Sequence, residues 1–272
     1  MSDARAERYQ SMSGIIREGD SVLVVLDEKR RFIARVRRDG ILGTDKGFVK
    51  LGDLIGKPYG VIVKTSQGFK ALILKPLPHD YSTLLHRATQ IIYPKDAGLM
   101  IHLSGIGPGS KIGEAGVGSG ALTIVLANSI GDTGILYGFD ISEKNLEVAK
   151  GNLEKAGLLE RVRLLKHDIR EPVSLPVDLD SFFLDIPDPW NALRVVAGLV
   201  RAGGTLLVYS PTINQVEKTV VELKKNPCFA DIHSYEVLLR EYKVEEGAVR
   251  PFTRMIGHTG YVVFARRVWC TS

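Results

Sequence analysis

Apolar residues recur in two different patterns, one in the N-terminal quarter of the chain and one in the remainder. Residues 14–75 hold short apolar runs separated by turn residues. "DSVLVVLDEKRRFIARVRRDG" predicts two strands joined by a charged turn, and "GVIVKTSQGFKALIL" predicts a second hairpin. Such runs indicate a small β-barrel or sandwich. Because Pro76 and Pro78 are typical of a linker, we expect a small β-rich domain over residues 1–78 and a second domain over 79–272.

From about residue 111 onward, apolar strand-like runs alternate with segments of helical period. "KIGEAG", "GILYGFD", "RVRLLKHD", "SFFLD" and "GGTLLVYS" are the strand candidates, and most are followed by a helical segment. This alternation predicts an α/β fold with a mostly parallel sheet and helices on both faces. The end of the chain departs from it: "IHSYEVLLREY" and "HTGYVVFARRV" predict a terminal hairpin that adds one antiparallel strand.

Composition narrows the class of protein. Of the 272 residues, 44% are hydrophobic and 25% charged, which is typical of a soluble globular protein. Without an apolar run long enough for a membrane span or a signal peptide, the sequence predicts a cytoplasmic protein. Cys228 and Cys270 are expected to be reduced thiols, with thermophilic archaea as the exception. The histidines show no metal-ligand spacing, so no metal is predicted.

A glycine-rich loop follows the first strand of the alternating region. In "EAGVGSGAL", Gly116, Gly118 and Gly120 allow a sharp turn and close approach of a ligand to the main chain before a helix begins. With Ala121 the string also satisfies G-x-G-x-x-A, so a dinucleotide-dependent enzyme stays an open alternative.

Acidic residues at the strand ends favour a positively charged ligand. Glu114 precedes the glycine loop, Asp140 ends the second strand, where it can accept both hydroxyls of a ribose, and Asp168 ends the third. A pyrophosphate would be repelled by this many carboxylates. S-adenosylmethionine carries a sulfonium, an ammonium and an adenosine, so it fits these residues better than NAD.

"SFFLDIPDPW" places Asp185 at the end of the fourth strand and a rigid turn with Pro187 and Pro189 directly after it. In open α/β sheets this edge holds the ligand. If the substrate is adenine, its N1 already has a lone pair, so no base is needed. A carboxylate that accepts a hydrogen bond from the exocyclic amino group would stabilise the positive charge that develops on the ring.

Five strings together resemble the tRNA (adenine-58-N1)-methyltransferases of the TrmI type, in particular the archaeal ones. They are "RATQIIYPKDAGLMI", "EAGVGSGALT", "LDIPDPW", "YSPTINQV" and "RPFTRMIGHTGYVVFARR". The resemblance implies a class I methyltransferase fold (Rossmann-like, with a mostly parallel seven-stranded sheet and a C-terminal antiparallel hairpin). It also implies a homotetramer and methyl transfer from S-adenosylmethionine to N1 of adenine 58 in the T-loop of tRNA. Archaeal members extend the expectation to adenine 57.

The resemblance also assigns site residues. Asp185 matches the catalytic aspartate, and Tyr93 is expected to stack on the target base. Asp140 matches the ribose-binding acid, where the family often has Glu. The full set expected to bind the cofactor is Gln90, Glu114, Gly116, Gly118, Ser119, Gly120, Ala121, Leu122, Asp140, Asn145, Asp168, Ile169 and Asp185.

A basic cluster in the small β domain suggests where tRNA phosphates are held. It consists of Lys29, Arg30, Arg31, Arg35, Arg37 and Arg38 in a chain of net charge +5, with a solvated hairpin as the alternative. Two other functions also stay open. One is a class I methyltransferase acting on a small molecule or a protein carboxylate, and the other is a tRNA-binding subunit without catalysis.

Overall fold

The structure, a computed structural model, describes residues 14–84 and 91–270. The chain divides into two compact units, Met1–Leu85 and His86–Ser272. The helix that contains the predicted domain boundary, α1 (Pro78–Leu84), falls in the first unit.

The first unit is built from short antiparallel strands. In chain order they are β1 (Ser21–Val25), β2 (Arg31–Arg35), β3 (Ile41–Thr44), β4 (Gly47–Lys50), β5 (Ile62–Lys64) and β6 (Lys70–Leu74). Four of them form a sheet of order β2-β1-β6-β5, and β3 pairs with β4. Val22, Val24, Leu54 and Ile73 are fully or almost fully buried between them. Both predicted hairpins are confirmed, whereas the β3–β4 hairpin was not predicted.

The second unit alternates strands and helices as the sequence predicts. Its helices are α2 (Pro94–Ser104), α3 (Ala121–Ser129), α4 (Glu143–Ala156), α5 (Leu193–Leu199) and α6 (Ile213–Lys225). Its strands are β7 (Lys111–Ala115), β8 (Ile135–Asp140), β9 (Val162–Lys166), β10 (Leu179–Leu184), β11 (Val200–Ser210), β12 (Phe229–Glu236), β13 (Tyr242–Glu245), β14 (Ala248–Pro251) and β15 (Tyr261–Arg267).

Seven of these strands form one sheet of order β12-β15-β11-β10-β7-β8-β9. Strands β7 to β11 pair in parallel, and β15 runs antiparallel to both neighbours, so the predicted fold class is confirmed. Residues 204–210 of β11 are all buried, which requires both faces of the sheet to be covered. The strand order reverses between β7 and β10, and a crevice for ligands opens at such a switch point.

The expectation that the two cysteines are reduced thiols is wrong. Cys228 and Cys270 form a disulfide within the chain, with their Cα atoms 5.1 Å apart, and are not reduced thiols. Although 42 residues separate them in sequence, β12 and β15 are antiparallel neighbours and Phe229 pairs with Arg267. The residues just outside this pair are therefore brought together. Among the described residues, no helix is long and apolar enough to cross a membrane.

Candidate active site

The glycine loop makes a tight turn between β7 and α3. Gly116, Gly118 and Gly120 all have positive φ, at 87°, 56° and 81°, a region that glycine enters without steric cost. The N–H of Gly116 donates to the carbonyl of Phe139 (2.9 Å), which ties the loop to the end of β8. A Cβ at position 120 would lie 3.2 Å from Ala149 on α4, so the third glycine also permits close helix packing.

Asp140 is held at the end of β8 by main-chain donors. Its Oδ2 accepts from the N–H of Gly118 (2.9 Å) and its Oδ1 from the N–H of Ser142 (2.8 Å). Asn145 Nδ2 is 3.3 Å from Oδ1, and Ser142 caps α4, which fixes the position of Asn145. The carboxylate therefore connects the glycine loop to the first turn of α4, with its orientation determined before any ligand binds.

Glu114 lies beneath the loop and is only 1% exposed. Its Oε2 atom has no hydrogen-bond partner among the described residues. Burial raises the pKa of Glu114 to about 8, and the charges of Asp185 and Asp140 add to the shift. Asp140 and Asp185 line the cavity in front of Glu114, so their charges would attract a cationic ligand group.

Asp185 follows β10 at the switch point of the sheet. Its N–H donates to the carbonyl of Ala115 (2.8 Å), so the Asp185 turn is attached to the end of β7. Protein surrounds the carboxyl, and this burial raises the pKa of Asp185 to about 7, although the residue still lines an open cavity. On the other side, Leu184 pairs with Val208, which makes Tyr209 the neighbour of Asp185 on β11.

Arg170 joins two further acids at the same edge. Its Nε donates to Asp168 Oδ1 (2.8 Å) and its Nη1 to Asp188 Oδ2 (2.9 Å). These bonds to Arg170 lower the pKa of Asp168 below its usual value and outweigh the opposing effect of burial. Asn191 also donates to Asp188 (2.8 Å). The guanidinium thus links the end of β9 to the turn that follows Asp185.

A cavity of about 890 Å³ lies over these strand ends. Seven of the predicted site residues line it, namely Gly116, Gly118, Asp140, Asn145, Asp168, Ile169 and Asp185. Glu114, Ser119 and Leu122 are buried behind the lining, and Gly120 and Ala121 start α3. The roles assigned to these residues remain predictions.

Tyr93 and Gln90 are placed differently. Tyr93 is the N-cap residue of α2, where its carbonyl accepts from Asp96 and Ala97 (3.0 Å each), and it is not among the residues that line the cavity. Its stacking role is a prediction. Gln90 lies outside the described residues.

Sequence analysis missed several residues at this edge. Arg170, Asp188 and Gln215 line the cavity, and Gln215 Nε2 donates to the carbonyl of Pro187 (2.8 Å), which fixes the turn after Asp185. The sequence did indicate Gln215, because this residue lies in the first turn of the helix that follows the fifth parallel strand.

A buried polar cluster next to Tyr209 was missed as well. Lys95 Nζ lies 2.8 Å from Asp96 Oδ1 and 2.7 Å from Thr259 Oγ1. Thr259 Oγ1 donates to Asp96 Oδ2 (2.7 Å), and its carbonyl accepts from the hydroxyl of Tyr209 (2.6 Å). Burial, together with the charges of Asp96 and Asp185, raises the pKa of Tyr209 to about 12, so the hydroxyl remains a donor. The cluster holds the start of α2, the start of β15 and the end of β11 together.

Comparison with known proteins identifies the family to which the chain belongs. The family model described as "tRNA methyltransferase complex GCD14 subunit" matches residues 68–250. The chain is 34% identical to the tRNA (adenine(57)-N(1)/adenine(58)-N(1))-methyltransferase of Methanocaldococcus jannaschii, over 90% of this chain and 94% of the relative. It is 30% identical to the tRNA (adenine(58)-N(1))-methyltransferase of Thermus thermophilus, over 92% and 98%.

Two solved structures share the fold over nearly the whole chain. A SAM-dependent O-methyltransferase from Thermotoga maritima superposes with a TM-score of 0.85 at 36% identity, covering 95% of this chain and 96% of that one. The tRNA (m1A58) methyltransferase of Aquifex aeolicus superposes with a TM-score of 0.78 at 29% identity, covering 94% and 100%.

Proposed function

Because the chain belongs to the family of the tRNA methyltransferase complex GCD14 subunit, we propose that it methylates N1 of adenine 58 in the T-loop of tRNA. The methyl donor is S-adenosylmethionine. Adenine 57 is a second candidate target, because the M. jannaschii relative is named for both positions. The observation that carries the proposal is the position of Asp185, a partly buried carboxyl at the switch point of a class I methyltransferase sheet.

The acids around the cavity suit the donor. When bound, S-adenosylmethionine would supply an electrophilic methyl group on a sulfonium. We assign to Asp140, whose orientation is fixed by Gly118 and Ser142, the hydroxyls of the ribose. We assign to Asp168, which Arg170 already binds, a further hydrogen bond from the adenine amino group. The free oxygen of Glu114 is suited to a cationic part of the donor, although it lies behind the lining. These assignments follow from chemistry and the family.

The role that we assign to Asp185 is to stabilise the positive charge that develops on the adenine during methyl transfer. Adenine N1 would attack the methyl carbon with its own lone pair while the bond between that carbon and sulfur breaks. S-adenosylhomocysteine would leave, and positive charge would develop on the ring. The ionised Asp185 carboxyl accepts a hydrogen bond from the exocyclic amino group and stabilises that charge. Since the pKa of Asp185 is about 7 without ligand, kcat/KM is expected to rise with pH through that range. Once the donor binds, its positive charge would lower this pKa and keep the carboxylate ionised.

The target base must be extruded from the folded T-loop to reach the cavity, and a rigid site on the protein would hold it there. Unstacking costs a few kcal/mol, which contacts to phosphates elsewhere must offset. Gln215 and the Arg170–Asp188 pair fix the turn after Asp185, so the carboxylate is already in place when the base arrives. We also propose that the enzyme is a homotetramer, which light scattering on the purified protein tests.

The test compares the wild-type enzyme with Asp185→Asn and a matched control, Asp178→Asn. Asp178 is an exposed carboxyl just before the same strand, at the end away from the cavity. Each protein is incubated with labelled donor and unmodified tRNA transcript, and the methylated nucleotide is mapped by mass spectrometry. We expect N1-methyladenine at position 58. Turnover should fall about 100- to 1000-fold in Asp185→Asn and stay unchanged in Asp178→Asn.

A measurement of cofactor binding distinguishes the possible reasons for a loss of turnover. Calorimetry with S-adenosylhomocysteine should show that Asp185→Asn still binds the cofactor product, with a loss of affinity much smaller than the loss of turnover. Undiminished turnover in Asp185→Asn would contradict the role of Asp185. Methylation of oxygen rather than N1 would instead support the activity named for the T. maritima neighbour, and binding of tRNA without turnover would support a non-catalytic subunit.

A further inference from the structure

Three of the six residues of the basic cluster predicted from sequence form ion pairs within the first unit. Arg30 forms ion pairs with Asp27 (2.8 Å) and Asp45 (2.7 Å). The other pairs in this cluster are Arg31 with Asp80 (2.7 Å) and Arg38 with Glu18 (3.0 Å). Cations whose charge is already balanced by neighbouring acids attract a polyanion less strongly. Other basic residues of this unit are therefore also candidates for phosphate contacts.

Two turns of the first unit join to form a different basic surface. The β3–β4 turn and the β5–β6 turn are held together by the hydrogen bonds of Phe48 with Ser66 (3.0 and 2.9 Å) and of Thr65 Oγ1 with the carbonyl of Lys46 (2.6 Å). Lys46 Nζ lies 4.8 Å from the ring centre of Phe69. We call the residues Lys46, Phe48, Lys64, Phe69 and Lys70 the lysine–phenylalanine tip.

In the part of the chain that the structure describes, no acid is bound to the lysines of the tip, although the charge of Lys46 acts on the neighbouring Asp45. Within the described residues, Lys46, Lys64 and Lys70 form no ion pair, and Asp45, next to Lys46, has both oxygens bound by Arg30. Lys64 and Lys70 lie directly opposite each other in the β5–β6 register, and both are exposed. Like charges in this position repel and destabilise a sheet. An anion placed between them would relieve that repulsion.

The aromatic rings of the tip are unusually open to solvent. Phe48 is 40% exposed and Phe69 is 45% exposed, and they are the exposed aromatic rings among the large apolar side chains that the described part of this unit leaves open to solvent. Exposed rings beside unpaired lysines are typical of surfaces that bind nucleic acids, where the cations contact phosphates and the rings contact bases.

We propose that the lysine–phenylalanine tip binds the phosphate backbone of the tRNA substrate, with Lys64 and Lys70 on phosphates and Phe69 against a base or sugar. This inference rests on the proposed function, and it adds a second candidate tRNA contact to the basic cluster of the first unit.

The test measures tRNA affinity against salt for Lys64→Gln/Lys70→Gln and for a matched control, Lys111→Gln/Lys224→Gln. Both double variants remove two exposed positive charges, but Lys111 and Lys224 lie at the edge of the large sheet opposite the cavity. Each lost phosphate contact lowers the slope of log affinity against log salt by about 0.7 to 0.9. We expect a decrease of about 1.4 to 1.8 for the tip variant and none for the control.

Two further readouts distinguish binding from folding and from catalysis. Removing the Lys64–Lys70 repulsion should leave the melting temperature unchanged or raise it, so weaker binding cannot result from unfolding. The KM for tRNA should rise, while kcat at saturating tRNA and donor affinity stay the same. In addition, Phe69→Leu should weaken binding without changing the slope, because it removes a ring and no charge.

A salt slope equal to that of the wild type, or an equal decrease in the control, would overturn the proposal while leaving the methylation of tRNA intact. A wild-type protein that methylates no tRNA would contradict the proposed function first, and would do so in the activity assay rather than in the comparison of slopes.

Discussion

Gly116 packs against the backbone of Asp185. A Cβ atom at position 116 would lie 1.9 Å from the carbonyl oxygen of Asp185, and the φ of Gly116 is 87°. The contact arises because β7 and β10 are neighbours: Ala115 pairs with Leu184, and the N–H of Asp185 donates to Ala115. Besides the ligand approach predicted for it, the first glycine of the loop therefore lets the glycine loop and the Asp185 turn lie side by side.

Gly116→Ala should separate these two elements. The new methyl group overlaps a backbone carbonyl that cannot move without displacing Asp185, and the positive φ adds strain. We expect kcat to fall at least about 100-fold, as for a misplaced catalytic group, together with weaker donor binding. Steady-state kinetics and calorimetry measure both.

Gly151→Ala is the control for this substitution. Gly151 lies within α4, and a Cβ there would meet nothing within 4 Å. Alanine should therefore stabilise the helix by about 0.5 to 1 kcal/mol and leave turnover unchanged. Wild-type turnover in Gly116→Ala would show that the contact with Asp185 is not needed.

The sequence predicted what depends on local pattern. Strand–helix alternation specified the sheet, and an acid after an apolar run specified the strand ends, which parallel strands then bring to one edge. The β3–β4 and β13–β14 hairpins were missed because strands of four residues such as "ILGT" and "YKVE" carry too few apolar positions to show a period.

Partners that are distant in sequence could not be predicted in this way. Arg170 pairs with Asp188, and Lys95 and Asp96 meet Thr259 more than 160 residues later, because the sheet order places their elements together. The cysteine pair was misjudged for another reason. The expectation of reduced thiols came from the predicted compartment, whereas the pairing depends on the contact between β12 and β15.

Glu114 makes stability depend on pH. Its pKa is raised to about 8, so between the unfolded value of 4.5 and 8 the folded state binds a proton that the unfolded state does not. The resulting stabilisation is complete below 4.5 and is lost as pH rises through 8, with a slope of at most about 1.4 kcal/mol per pH unit. Glu114→Gln has no such proton to lose. Relative to wild type, it should gain stability between pH 5 and pH 9.

Urea unfolding at several pH values, without donor, measures the difference. Glu147→Gln, an exposed position on α4, serves as the control and should differ from wild type by a constant amount. If the stability of Glu114→Gln relative to wild type did not rise between pH 5 and pH 9, the Glu114 carboxyl would not have the raised pKa on which this prediction depends.

Lys95 is expected to be critical for stability near the site. Its side chain is 9% exposed and that of Asp96 is 0% exposed, so Lys95→Met leaves a buried carboxylate without its cation. Loss of one partner of a buried pair costs about 3 to 5 kcal/mol. Because Thr259 connects this pair to Tyr209, kcat should fall more than donor affinity does. Lys144 is exposed on α4, so Lys144→Met should change neither the free energy of unfolding nor kcat. Equal unfolding curves for the two variants would contradict this prediction.

The Cys228–Cys270 disulfide should contribute to stability and not to catalysis. It closes a loop across a sequence separation of 42 residues, and constraining an unfolded chain by a loop of this length stabilises the fold by about 4 kcal/mol. The bond lies where β12 begins and β15 has ended, at the edge of the sheet opposite the cavity. Cys270→Ser should therefore lower the melting temperature markedly yet keep wild-type kcat well below that temperature. Reductant should shift the melting of the wild type and leave that of Cys270→Ser unchanged. A melting curve of the wild type that does not respond to reductant would show that the bond adds nothing to the stability of the fold.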